Sequence, residues 1–63
     1  MTLLEYLLKE KISLSEFARR LNKSQPHISE VARGLAHPSF KLAIEIEKIT
    51  NKNVPRTNWY PNV

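Results

Sequence analysis

The sequence contains no cysteine, no aspartate and only one glycine among its 63 residues. Without cysteine, the chain has no disulfide framework, no thiolate metal site and no cysteine nucleophile. A membrane-spanning helix needs about 20 consecutive apolar residues, and no stretch of this sequence comes near that length. The opening MTLLEYLLKE lacks the leading basic segment of a signal peptide. These absences predict a protein of the cytoplasm that does not bind a membrane.

The length of the chain also limits what it can do. A domain of this size buries only about 60% of the surface that its unfolded chain exposes, so we expect a single domain over residues 1–63 without a large catalytic pocket. Its two histidines, His27 and His37, have neither metal-ligand spacing nor an evident acid or nucleophile beside them. The sequence therefore predicts no enzyme, no cofactor, no metal site and no small-molecule ligand.

Positive charge is concentrated in the middle of the chain. The formal net charge is +4 and the sequence pI is about 9.8. Between residues 17 and 44 a single acid, Glu30, is outnumbered by five cations. These cations are Arg19, Arg20, Lys23, Arg33 and Lys41. A basic stretch of this kind favours a polyanionic partner such as a nucleic acid.

Apolar residues at helical spacing predict an all-α, compact domain of four to five helices. Thr2 and Glu5 have the form of a capping box before a first helix over residues 3–10. The last long helix is expected over residues 39–50, and the tail, residues 54–63, is expected to form an irregular turn or one short helical turn. The residues expected to be available for burial are Leu3, Leu4, Leu7 and Leu8 in the first helix, and Phe40, Leu42, Ala43, Ile44, Ile46 and Ile49 in the last.

Two short helices joined by a tight turn are predicted in the middle of the chain. Ser13 and Glu16 repeat the capping pattern before a second helix of about two turns, which is expected to end at Asn22 because asparagine tolerates left-handed backbone. Ser24 is expected to cap a third helix that closes near Gly34. The predicted buried residues are Leu14, Phe17, Ala18 and Leu21 in the second helix, and Ile28 and Val31 in the third.

Such a pair, over about residues 14–34, makes a helix-turn-helix, whose second helix points its first residues at base edges in the DNA major groove. Because Ile28 and Val31 fix the buried side of the third helix, the opposite side is assigned to the groove. The predicted base-reading residues are Gln25, Pro26, Ser29, Glu30 and Arg33.

Each of these side chains suits a particular contact. The amide of Gln25 can pair bidentately with adenine, and Pro26 offers an apolar contact to a thymine methyl group. Arg33 suits guanine or phosphate, with phosphate favoured by its place at the far end of the helix. Glu30 faces DNA favourably only if it accepts from a cytosine amino group or is neutralised by Arg33.

Residues that flank the reading helix are expected to contact the DNA backbone. The predicted phosphate-contacting residues are Ser24, Lys23, Arg19, Arg20, His27, His37, Ser39 and Lys41. Each also has a purely structural alternative, such as a helix cap for Ser24 or solvation of the second helix for the two arginines. Trp59 and Tyr60 have three alternatives, namely a plug over the first and last helices, a base-stacking platform, or a dimer interface.

The stretch LSEFARRLNKSQPHISEVARG, residues 14–34, resembles the helix-turn-helix of phage-repressor and Cro-like regulators, the XRE-like family. The matching residues are Phe17, Ala18, Leu21, Ile28, Val31 and Gly34. The chain departs from the family in the turn, where Asn22 replaces the usual glycine and Lys23 replaces an apolar residue. It also carries Leu14 where family members commonly have a phosphate-contacting glutamine.

The flanking segment HPSFKLAIEIEKITNKNVPRTNWYP is similar to the segment after the motif in small prophage Cro-type proteins. The resemblance implies a repressor that binds a roughly palindromic operator in double-stranded DNA as a homodimer, in the nucleoid of a bacterial host cell. Two alternatives stay open, a DNA-binding antitoxin and a helical protein-interaction module anchored by Trp59 and Tyr60.

Overall fold

Four α-helices and a short 3-10 helix make up the computed structural model, which describes residues 1–62. The helices are α1 (Leu3–Glu10), α2 (Leu14–Arg20), α3 (Gln25–Ala32) and α4 (Phe40–Ile49), and the 3-10 helix is Arg56–Asn58. No strand occurs in residues 1–62. The predicted all-α fold is therefore confirmed, and the predicted tail forms one short helical turn as expected. Val63, the last residue of that tail, lies outside the described residues.

A hydroxyl side chain begins each α-helix by accepting a hydrogen bond from a backbone N–H of the first turn. The four caps are Thr2, Ser13, Ser24 and Ser39. The capping box of Thr2 and Glu5 is complete, because each side chain accepts from the other residue's N–H. Of the second predicted capping box, the hydrogen bond to the Ser13 side chain forms, but the one to the Glu16 side chain does not. Ser13 accepts from the N–H of Glu16 at 3.0 Å, but the Glu16 carboxylate binds arginines instead.

All four α-helices also end in the same way, in a residue with left-handed backbone. These residues are Lys11, Asn22, Gly34 and Asn51, with φ between 56° and 78°. After each, the next backbone N–H donates to a carbonyl five residues earlier, as from Leu35 to Glu30 at 2.8 Å. This pair of features is the Schellman motif. It confirms the predicted ends at Asn22 and Gly34, and it keeps the connections between helices short.

The core is built from residues of every α-helix and the tail. Its buried members are Leu3, Leu7, Phe17, Ala18, Leu21, Ile28, Val31, Leu42, Ala43, Ile46 and Val54. Most of the predicted core is confirmed, but the periodicity overestimated the width of the apolar faces. Leu4 and Leu8 of α1 are exposed, and so are Phe40 and Ile49 at the two ends of α4. Each of these helices covers the core with only one side, so the flanking leucines and isoleucine face solvent.

Polar contacts attach the tail to α4. The fully buried hydroxyl of Thr50 donates to the carbonyl of Ile46 at 2.7 Å and accepts from the N–H of Val54 at 3.1 Å. One turn earlier, the Glu47 carboxylate binds the Arg56 guanidinium at 3.0 Å. These contacts bring the 3-10 helix back against α4, where it closes the core.

Candidate nucleic-acid interface

The connection between α2 and α3 is a tight turn of residues 21–24. Asn22 adopts φ of 59°, and the N–H of Lys23 donates to the carbonyl of Ala18 at 2.9 Å. Lys23 itself is exposed. Backbone hydrogen bonds thus close the turn. Lys23 stands where the XRE-like family has an apolar residue, but this exposed side chain does not disturb the turn. Leu21 is buried beneath the turn and fixes the two helices to the common core.

Helix α3 has one buried side and one exposed side. Ile28 is fully buried and Val31 is 2% exposed. On the other side lie four of the five predicted base-reading residues as exposed side chains, whereas Ser29 is half-buried. The exposed four are Gln25, Pro26, Glu30 and Arg33. The predicted division of the helix is confirmed, and its polar first turn is open to solvent.

The start of α3 carries a local cap. Ser24 has extended backbone, and its side-chain oxygen accepts from the N–H of His27 at 3.4 Å, which confirms its capping role. Pro26 in the first turn has no N–H, so the turn needs no partner there. His27 is half-buried beside this turn. The exposed Gln25 side chain is therefore attached to a backbone that the cap and the proline hold in place.

The two arginines of α2 share one carboxylate. Oε1 of Glu16 contacts Arg19, and its Oε2 accepts from Nε of Arg20 at 3.0 Å. The hydrogen bonds from Arg19 and then from Arg20 hold the pKa of Glu16 below its usual value. This cluster is not among the features predicted from the sequence, although spacings of three and four residues on one helix are typical of such pairs.

The remaining cations near the motif lack such partners. Within residues 1–62, Lys23, Arg33 and Lys41 make no ion pair, and all three are exposed. Of the two conditions given for Glu30 to face DNA favourably, neutralisation by Arg33 is therefore not met within residues 1–62. Both side chains are exposed, and an ion pair between exposed residues three apart stabilises a helix by only about 0.2–0.5 kcal/mol.

Three predicted phosphate-contacting residues lie around the loop before α4. The exposed ring of His37 packs edge-on against Tyr60, with centroids 4.9 Å apart. Ser39 caps α4 by accepting from the N–H of Leu42 at 3.1 Å, and Lys41 lies in the first turn of that helix.

Within the described part of the chain, no cluster of three or more His, Cys, Asp or Glu residues has the geometry to hold a metal ion.

Trp59 and Tyr60 pack against their own chain. Both are half-buried, and Trp59 packs against the core and lines a cavity together with Leu3 of α1 and Val31 of α3. The Tyr60 hydroxyl donates to the carbonyl of Pro38 at 2.6 Å, and its ring meets Phe40 edge-on. A plug over the core is the alternative that these contacts support, with Trp59 packed against the core and Tyr60 against the start of α4.

The helix-turn-helix family HTH_3 matches the chain over residues 3–55. No curated protein and no solved structure matches it significantly. No helix within residues 1–62 is long and apolar enough to cross a membrane. The family match covers α1 to α4 and the whole of the motif described above, which the fold shows independently. The chain therefore belongs to the XRE-like helix-turn-helix family HTH_3, a family of DNA-binding transcription regulators.

Proposed function

We propose that this regulator is a sequence-specific repressor of the Cro type, of phage or prophage origin, that acts at the bacterial nucleoid. It binds a palindromic operator in the major groove as a homodimer. The observation that carries the proposal is the start of α3, where Ser24, Gln25 and Pro26 are exposed while Ile28 and Val31 anchor the helix in the core. A polar, capped and solvent-facing first turn is what a recognition helix requires.

Base reading is assigned to the exposed side of α3. Gln25 pairs with adenine through its amide, and Pro26 contacts a thymine methyl group. Glu30 accepts from a cytosine amino group, which is the remaining favourable role for a carboxylate that makes no ion pair with Arg33. Ser29 is half-buried and reaches the groove only through its hydroxyl. Arg33, which follows the last residue of α3 at the end opposite the Ser24 cap, binds phosphate or guanine, with phosphate favoured.

Phosphate binding is assigned to the residues around that helix. They are Ser24, Lys23, Arg19, Arg20, His27, His37, Ser39 and Lys41. The exposed cations Lys23 and Lys41 lie on either side of α3 in the sequence and make no ion pair within residues 1–62, which leaves their charge available to the DNA backbone. Phosphate contacts from flanking elements fix the position of the reading helix without carrying sequence information.

A homodimer places two copies of α3 in successive major grooves, with half-sites about one helical turn apart. Trp59 and Tyr60 are proposed as part of its interface through their exposed edges, in addition to their contacts within the chain. In a symmetric dimer the same surface is used on both copies, so each of these side chains contributes to the interface twice.

The experiment that tests this function is a selection of bound sequences from a pool of random duplexes at physiological salt. A symmetric enriched site supports the repressor and gives the half-site spacing. Salt-sensitive binding to every duplex without enrichment would contradict it, and would favour a protein partner such as the toxin of an antitoxin pair. In that case, a pull-down with the wild type and a Trp59→Ala variant would test whether the tail anchors the partner.

A further inference from the structure

Glu16 is the one acid that contacts the cations of the helix-turn-helix within residues 1–62. It lies in the first turn of α2, and each of its two oxygens binds a different arginine. The trio of Glu16, Arg19 and Arg20 thus carries a formal charge of only +1. The arginines lie at the end of α2 that leads into the turn before α3, among the residues assigned to phosphate.

A carboxylate and a phosphate compete for the same donors. Arginine binds both with the same planar fork of N–H groups. Arg19 is 78% exposed and Arg20 is 48% exposed in their side chains, so both are accessible to DNA, yet each already donates to Glu16. A phosphate that approaches either arginine must displace this carboxylate or tolerate its negative charge nearby.

We propose that Glu16 is a positioning residue that restrains Arg19 and Arg20 and thereby weakens the sequence-independent part of DNA binding. The inference rests on the proposed contact of this surface with DNA. Lys23, Arg33 and Lys41 make no ion pair within residues 1–62 and retain their full charge for phosphate. Because sequence-independent affinity grows with each phosphate neutralised, holding back two arginines raises the share of affinity that comes from bases.

The test compares Glu16→Gln with Glu10→Gln. Both substitutions remove one negative charge, but Glu10 is exposed on α1 and its side chain makes no hydrogen bond or ion pair within residues 1–62. The probe is a fluorescent duplex of random sequence, titrated at several salt concentrations. Circular dichroism verifies that each variant is folded, and the N-terminal cap of α2 persists because Ser13 accepts from the Glu16 backbone.

We expect Glu16→Gln to bind the random duplex more tightly than both the wild type and Glu10→Gln. Its plot of log K against log salt should be steeper by about 0.9 for each arginine released to a phosphate. For one arginine, the gain in affinity at about 50 mM salt is then about three- to fourfold larger than at about 200 mM. A loss of helix stability alone would not steepen this slope.

A second pair of variants isolates the arginines. In a background of Arg19→Gln and Arg20→Gln, the Glu16→Gln substitution should leave both affinity and slope unchanged, since the groups through which it acts are gone. Weaker or unchanged binding by Glu16→Gln, or a gain that Glu10→Gln reproduces, would overturn the inference. If the wild type itself fails to bind any duplex, the proposed function fails, which is a distinguishable result.

Discussion

The hydroxyl oxygen of Thr50 accepts a hydrogen bond from the buried N–H of Val54 at 3.1 Å, and both residues are fully buried. Thr50 follows the last residue of α4, and Val54 lies where the tail turns back over the core. This contact satisfies a backbone donor that solvent cannot reach. It therefore sets where the tail leaves α4 and how the 3-10 helix approaches the domain.

Replacing Thr50 with valine should destabilise the fold, because the substitution keeps the shape of the side chain but leaves the Val54 N–H buried without an acceptor. A buried unpaired donor costs about 1–3 kcal/mol. Urea unfolding of Thr50→Val should show that loss, whereas Thr57→Val, at an exposed position, should change the free energy of unfolding by less than about 0.5 kcal/mol. Equal stability of the two variants would mean that the contact contributes nothing.

Stability should fall when the pH is lowered. The N–H and hydroxyl of Thr2 hold the pKa of Glu5 below its usual value, and hydrogen bonds from Arg19 and Arg20 do the same for Glu16. A depressed folded-state pKa contributes stability above the unfolded-state pKa, which is lost as the pH falls through the folded-state value. The urea midpoint should therefore decrease from about pH 5 downward.

The variants Glu5→Gln and Glu10→Gln test the source of this pH dependence. Glu5→Gln lacks the titrating carboxylate of the capping box, so its urea midpoint should change less with pH than that of the wild type. The Glu10 side chain makes no hydrogen bond or ion pair within residues 1–62, so Glu10→Gln is the control for the loss of one exposed carboxylate. An identical profile in all three proteins would show that the capping carboxylate contributes nothing.

Gln25→Ala should separate specific from non-specific binding. Because a bidentate amide contact reads one base, its loss should cost about 1–3 kcal/mol on the selected site and little on random duplex. The measurement is the dissociation constant on both duplexes at one salt concentration. Equal losses on the two would refute base reading by Gln25 and leave it a solvated residue of the first turn.

Lys23→Ala should weaken binding to every duplex. The exposed ammonium in the turn is proposed to neutralise one phosphate, so the slope of log K against log salt should decrease in magnitude by about 0.9. Lys9→Ala, in the last turn of α1, removes the same charge away from the helix-turn-helix and should leave the slope unchanged. A Lys23→Ala slope equal to that of the wild type would contradict the phosphate contact.

Local rules predicted the elements that local interactions decide. Ser24 could be recognised as a cap and Asn22 as the end of α2, because a few neighbouring residues determine both. The buried pair Ile28 and Val31 followed from helical spacing, and with it the exposed side of α3. The candidate site is predictable to this extent because it consists of one short helix with one anchored face.

Features that depend on the tail, or on a choice between several hydrogen-bond partners, could not be predicted from neighbouring residues alone. The burial of Thr50 requires Val54 to fold back over the core, and the contact of Tyr60 with Pro38 joins segments 22 residues apart. Glu16 fits both a capping box and helical ion pairs, and only the folded structure shows that its side chain binds arginines. Periodicity alone cannot decide between such alternatives.

The proposed function requires the capped start of α3 to contact DNA, and amide chemical-shift mapping examines this contact residue by residue. A duplex carrying the selected site is titrated into 15N-labelled protein at physiological salt. We expect the largest changes on residues 23–33 and on the first turn of α4, with little change along α1. Changes centred on α1 or on the 3-10 helix, with residues 23–33 unaffected, would contradict it.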